Sequence, residues 1–168
     1  MARLFSFFVI LFLLPLAVAQ TQWREFRSDS DGFSIQLPAT PKITARRIEN
    51  TDATQTFFMI ELKQNVYFVS VIQLGEGKGP KAPDQTYFAQ LLKSYADGSN
   101  TTTRSSRMIT WAGHPAIEGI TDATDGAHLV DITAAGDRVY MVVFAGSKGE
   151  ETSPEAARMR DSFKLLGN

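Results

Sequence analysis

Apolar and polar positions alternate along Phe33-Ser34-Ile35-Gln36-Leu37, the period-two signature of a half-buried strand, which Pro38 and Pro41 close. Ahead of it, Trp23 and Phe26 lead into Asp29-Ser30-Asp31-Gly32, a polar cluster that reads as a turn. Ile43 to Glu49 is polar and reads as an edge strand. Gln55 to Leu62 sets Phe58, Ile60 and Leu62 on one face, with Phe57 and Met59 on the other. Val66 to Leu74 sets Val66, Phe68 and Ile72 on one face, with Tyr67, Val69 and Val71 on the other. Lys63-Gln64-Asn65 between them is too short for a crossover, so the two are expected to pair as an antiparallel hairpin. Gly75 to Pro83, rich in glycine and proline, is expected to be a mobile loop.

The period then changes. Within Asp84 to Ala96, Phe88, Leu91, Leu92 and Tyr95 recur at i, i+3, i+4 and i+7, the apolar stripe of a helix, with Pro83 at its start and Gly98 as its expected stop. Ser99 to Ser106 is polar, part strand in this reading, and Asn100-Thr101-Thr102 matches a glycosylation sequon by pattern only. Arg107 to Trp111 and Ala116 to Thr121 flank Ala112-Gly113-His114-Pro115, a hairpin turn. Ala127 to Thr133 and Arg138 to Ala145 flank a second one, Ala134-Ala135-Gly136-Asp137. A closing helix starts at Ser153-Pro154-Glu155, an N-cap, a proline at the first position and an acid in the first turn. It turns Ala156, Met159 and Phe163 inward.

Strands apolar on both sides need cover on both sides, and the two helices are the available covers. The expected fold class is therefore α+β: a twisted, mainly antiparallel β-sheet of about six to eight strands with helices packed on its faces. No linker divides residues 20–168, which are read as a single globular domain.

Residues 1–19 read differently. Arg3 precedes an almost wholly apolar run from Leu4 to Val18, and Ala17-Val18-Ala19 is a small-residue cleavage site, so 1–19 is expected to be a cleavable signal peptide cut before Gln20. The run is shorter than the roughly 20 apolar residues that span a bilayer, and Pro15 breaks it. The expected localisation is periplasmic or secreted, with no stable membrane insertion after cleavage. The leader holds one of the 17 basic residues, Arg3, and none of the 18 acidic ones, so the remainder carries a net charge of about −2. That charge gives no grip on nucleic acid. Arg46-Arg47 and the Arg104/Arg107 pair read as solvated strand faces. The chain has no cysteine, which excludes disulfides, thiolate metal sites, a catalytic thiol and a lipidated cysteine at the cleavage point.

Candidate chemistry is sparse. Asp122, Asp125, His128 and Asp131 are the one cluster of ligand-type side chains. On a strand, however, His128 shares a face with Ile132 while Asp131 points the other way with Leu129, so no metal site is assigned. Asp29 to Gly32 echoes the start of a calcium loop, but the loop would end at Thr40, where a bidentate glutamate is required. Gly75-Glu76-Gly77-Lys78-Gly79 lacks the spacing of a phosphate-binding loop and is read as a flexible loop that still has the option of walling a cleft. His114 and His128 are the sole histidines, and no nucleophile elbow accompanies them. No catalytic residue, cofactor-binding residue or cofactor is assigned.

The opening, Trp23 and Phe26, then Gly32-Phe33-Ser34-Ile35-Gln36-Leu37-Pro38 and Pro41-Lys42, is similar to that of many small exported bacterial proteins of unknown function. The close is Arg138-Val139-Tyr140-Met141-Val142-Val143, Pro154-Glu155-Ala156 and Ser162-Phe163-Lys164-Leu165. Together these resemble the PsbP-like (DcrB/PsbP) fold, an α/β/α sandwich. The missing cysteine departs from the family's lipoprotein branch. The resemblance rests on strand, turn and helix-end residues, carries no functional residue across, and implies a non-enzymatic accessory or binding role in the cell envelope. The expected partner is an envelope protein or a small ligand. The alternative reading is a secreted hydrolase using His114 or His128.

Overall fold

The structure, a computed structural model, describes residues 22–167. The leader and its cleavage site before Gln20 lie outside the described residues. Among the described residues ten strands and two helices follow one another: β1 (Arg24–Ser28), β2 (Phe33–Leu37), β3 (Lys42–Arg47), β4 (Thr54–Glu61), β5 (Val66–Gln73), α1 (Gln85–Ser99), β6 (Thr102–Trp111), β7 (His114–Asp122), β8 (Ala127–Ala135), β9 (Arg138–Gly146), α2 (Pro154–Ser162) and β10 (Lys164–Leu165). A short 3₁₀ turn, Glu150–Thr152, precedes α2.

Seven strands form one antiparallel sheet in the order β3-β4-β5-β9-β8-β7-β6. The expected β4–β5 hairpin is present, closed by a bond from the Leu62 amide to the Asn65 carbonyl (2.9 Å). The β6–β7 turn is tighter than expected. Ala112 and Gly113 alone make it, both at positive φ (49° and 82°), the backbone a two-residue hairpin turn requires. His114 and Pro115, expected in the turn, are the first residues of β7, and the Pro115 carbonyl accepts from Thr133 Oγ1 at 2.9 Å.

β1, β2 and β10 are not part of the large sheet. They form a second, three-stranded sheet with β2 at its centre. This sheet and α2 together cover one face of the large sheet, which explains why β2 is almost wholly buried where its alternation predicts one wet face. The Gln36 amide, on β2, donates to Ser162 Oγ on α2 at 2.8 Å. Phe33, Ile35, Leu37, Met159 and Phe163 meet Phe58, Ile60, Tyr67, Val69 and Val71 across this layer. Trp111 stacks on Phe163 with ring centroids 4.5 Å apart and donates Nε1–H to the Arg160 carbonyl at 3.1 Å, so an aromatic supplies both apolar area and a satisfied polar tip.

α1 lies on the opposite face. Asp84 caps it by accepting from the Tyr87 amide, and Phe88 and Leu92 pack on Ile117, Val130, Ile132, Val139 and Val143. Gly119 on β7 permits the close approach, since a Cβ there would sit 2.6 Å from Leu92 Cδ2. The helix passes through Gly98, its expected stop, and ends where Asn100 adopts the left-handed conformation (φ 54°, ψ 46°), a role asparagine shares with glycine. The layers are thus α1, the seven-stranded sheet, and α2 with the small sheet.

Candidate binding surface

The side chains singled out from sequence do not converge. Asp122, on β7, is bound by Arg104 of β6, whose guanidinium also reaches Glu151 at 2.8 Å. His128 faces α1, and its Nδ1 lies 2.7 Å from the Tyr95 hydroxyl. Burial moves the His128 pKa down and pushes that of Tyr95 up to about 12, despite the opposing Ser99 hydrogen bond. At neutral pH the phenol is uncharged, and it shares one hydrogen bond with the imidazole. This pair ties α1 to the sheet. His114 is half-buried in a concavity of about 410 Å³ with Gln73, Asp137, Arg138 and Tyr140. Among the described residues, neither imidazole is hydrogen-bonded to a serine hydroxyl or a carboxylate.

Asp131 points away from His128, toward α2, as strand alternation requires. Its side chain is 1% exposed, and burial pushes its pKa up to about 7 against the pull of Arg160. A line of alternating charges runs outward from it. Arg160 Nε lies 3.6 Å from Asp131 Oδ1, Arg160 also holds Glu118 at 2.9 Å, and Glu118 holds Arg107 at 2.7 Å. Among the described residues, Asp131 Oδ1 and Arg160 Nε make no hydrogen bond, which fits a carboxyl held partly protonated. A carboxylate inside the apolar run Leu129-Val130-Asp131-Ile132 is the sequence signal that marks this group.

The turn at Asp29 to Gly32 uses its carboxylates locally. Ser28 Oγ donates to Asp31 at 2.6 Å and Arg27 Nε to Asp29 at 2.7 Å, and the residues a calcium loop would need next are β2.

The glycine-rich segment after β5 is tethered, contrary to the mobile loop expected. The Gly77 and Gly79 amides donate to the Asp137 carboxylate at 2.8 and 2.7 Å, and these two bonds hold its carboxyl below the usual range. A Cβ on Gly79 would lie 1.9 Å from the Gly136 carbonyl oxygen, so two backbone segments touch where no side chain fits.

The surface that sequence reasoning missed is on the large sheet. α1 packs on β6, β7 and β8. On the same face, Phe68 of β5 and Met141 of β9 pack at the margin of the α1 core and stay half-buried, and beyond them β4 presents Phe57 and Met59, half-buried without contact to that core. Phe57 and Phe68 stack with centroids 5.6 Å apart, and the Arg46 guanidinium lies over Phe57 at 5.1 Å. A depression of about 350 Å³ lined by Lys42, Thr44, Met59 and Glu61 continues this face to the sheet edge. At the far end of β3, the Arg47–Ala53 turn, Leu74 and Lys78 enclose a larger concavity of about 780 Å³. The β3 end of the molecule therefore combines accessible apolar area, cationic side chains and concave shape. The polar, cationic composition of β3, next to aromatic residues on β4, is the signal that could have found it.

With the architecture established, comparison with solved structures places the fold. The solution structure of cyanobacterial PsbP (CyanoP) from Synechocystis sp. PCC 6803 superposes with a TM-score of 0.58 at 10% identity, covering 89% of this chain and 96% of that one. The chain has a PsbP-like fold, the α/β/α arrangement expected from its opening and closing segments. A crystal structure from Bacteroides thetaiotaomicron VPI-5482 aligns at a TM-score of 0.42 and 16% identity, covering 86% of this chain and 48% of that one. No family model and no curated protein matches the sequence.

Proposed function

We propose that this is an exported, non-enzymatic accessory or binding protein of the cell envelope, acting through the sheet face that α1 leaves open. The observation that carries the reading is Phe57, Met59, Phe68 and Met141 lying half-buried beside a cationic edge. Apolar area of this kind, rimmed by polar groups, marks interaction sites. The ionisable groups support it from the other side: His128, Asp122 and Glu151 each have a structural partner. The PsbP-like fold is compatible with an accessory role, and the leader and its A-x-A site support export.

Two measurements test this together. Intact mass of the protein recovered from the periplasm or medium should match a chain beginning at Gln20. Wild-type protein immobilised on beads should retain an envelope component that a Phe57→Ser/Phe68→Ser variant loses. A cell-associated chain still carrying residues 1–19 overturns the export half. Turnover of an ester, peptide or glycoside substrate that His114→Ala or His128→Ala abolishes overturns the non-enzymatic half and reinstates the hydrolase.

A further inference from the structure

We propose that β3 is a docking edge for an extended peptide strand rich in acidic residues alternating with apolar ones, which adds to the large sheet as an eighth strand. The proposal rests on the binding reading above and names the chemistry of its partner.

β3 is the outermost strand of the large sheet on its side, and all six of its residues are exposed. One row of its backbone N–H and C=O groups pairs with β4. The other row faces outward with no strand beside it among the described residues, and such a row is a template for strand addition. Its two faces differ. Lys42, Thr44 and Arg46 stand on the open face, in line with Met59, Phe57 and Gln55 of β4. Ile43 stands on the other, 54% exposed although it lies opposite the buried Phe58. An added strand would therefore cover Ile43 with one set of alternate side chains and bring the other set over the cations.

Charge selects the occupant. β3 carries Lys42, Arg46 and Arg47 and no acidic residue. Among the described residues, no carboxylate lies within ion-pair distance of Lys42 or Arg46, and Arg47 has Asp52 at 3.6 Å, which Lys78 holds more closely at 3.0 Å. β6, the opposite edge, has arginines too, but Arg104 is bound by Asp122 and Glu151, and Arg107 by Glu118. One edge is neutralised within the molecule and the other is not. Charges on an edge normally keep strands apart. Here all are of one sign, so the repulsion acts on a second copy of this chain, whose antiparallel β3 would set Arg47 opposite Lys42. An acidic strand is attracted instead.

The test uses the whole mature protein and a fluorescein-labelled peptide of about eight residues alternating glutamate with valine, a typical strand length. Controls are the lysine–valine counterpart and the glutamate–valine peptide N-methylated on alternate amides. The expected result is saturable binding that weakens as salt rises, with amide shifts centred on β3 and the exposed face of β4. Binding should fall by about tenfold or more with the N-methylated peptide, which cannot complete the ladder, and with the exposed double variant K42E/R46E. The variant should in turn favour the lysine–valine peptide.

Equal binding of both unmethylated peptides by the wild type, undiminished binding of the N-methylated one, or shifts centred elsewhere overturns the proposal. So does salt-sensitive dimerisation through β3 in sedimentation. K42E/R46E also separates this failure from failure of the binding reading. If the variant keeps the envelope component on beads as well as wild type does, the strand-docking proposal falls and the binding function stands. If wild type retains nothing, the function itself falls.

Discussion

Asp131 sits in the middle of β8 between Val130 and Ile132, with its carboxyl under α2 and Arg160, Glu118, Arg107 and Asp161 as its charged surroundings. Its folded-state pKa of about 7 lies above the ordinary 3.8, so the native state holds the proton that the unfolded chain has already released. The stability this group contributes is complete below the unfolded value and drains away as pH climbs through the folded one. Between about pH 4 and pH 8 the loss should be roughly 2–4 kcal/mol. Asp131→Asn should therefore gain on wild type by that amount as pH is raised, measured by urea unfolding at both ends. A constant difference between the two proteins would show that the group does not titrate. Gly79 makes a steric prediction. Because a Cβ there meets the Gly136 carbonyl, Gly79→Ala should lower stability by roughly 1–3 kcal/mol and deprotect the Gly77 and Gly79 amides in hydrogen exchange. Unchanged protection would mean that the loop is not anchored at Asp137. The tether was not legible beforehand. Glycine and proline content predicts turns, but the Asp137 carboxylate that captures the loop comes from a hairpin some 60 residues further on.

Among elements, β4 and β5 separate the covered side of the sheet from the open one. Phe33→Ala, in the layer between the sheets, should cost about 3–5 kcal/mol in chemical denaturation. Phe57→Ser, on the half-exposed face, should cost no more than about 1–2 kcal/mol. A Phe57 variant as damaging as the Phe33 one would mean that the face is core. At the start of α2, Ser153 accepts from the Ala156 amide at 3.2 Å, and Ser153→Ala should lower stability by about 1 kcal/mol. Local patterning was a good guide to these elements. Alternation located β2, apolar runs bounded by turn residues located β4, β5, β8 and β9, the i, i+3, i+4 stripe located α1, and the Ser-Pro-Glu start located α2. It also foresaw that His128 and Asp131 diverge. Long-range pairing lay outside its reach. β2 joins β10 through Ser34–Lys164 and Phe33–Leu165, partners about 130 residues apart on a strand two residues long, and no local period encodes that. Period-two reasoning also treats every apolar face as in need of cover. α1 is too narrow to roof seven strands, which is why Phe57 and Phe68 were assigned to a buried face and lie half-open.

At the scale of the whole molecule, two unequal coverings decide what the protein can offer a partner. The small sheet and α2 close one face of the large sheet, while α1 closes the β6–β8 part of the other and leaves the β3–β5 part accessible. The PsbP-like fold supplies this frame without specifying a ligand, so the reading of function depends on surface chemistry alone. No helix among the described residues is long and apolar enough to cross a membrane. The β3 end of the large sheet, its free edge together with the open face beside it, is where this protein is proposed to meet its partner. Photo-crosslinking in intact cells tests it most directly, with a photoreactive residue placed singly at Phe57, at Ile43 or at Ser106, an exposed position on β6 at the opposite edge of the large sheet. A discrete adduct is expected from Phe57 and Ile43 and none from Ser106. Adducts from Ser106 alone, or from none of the three in protein shown to be folded and exported, would contradict it.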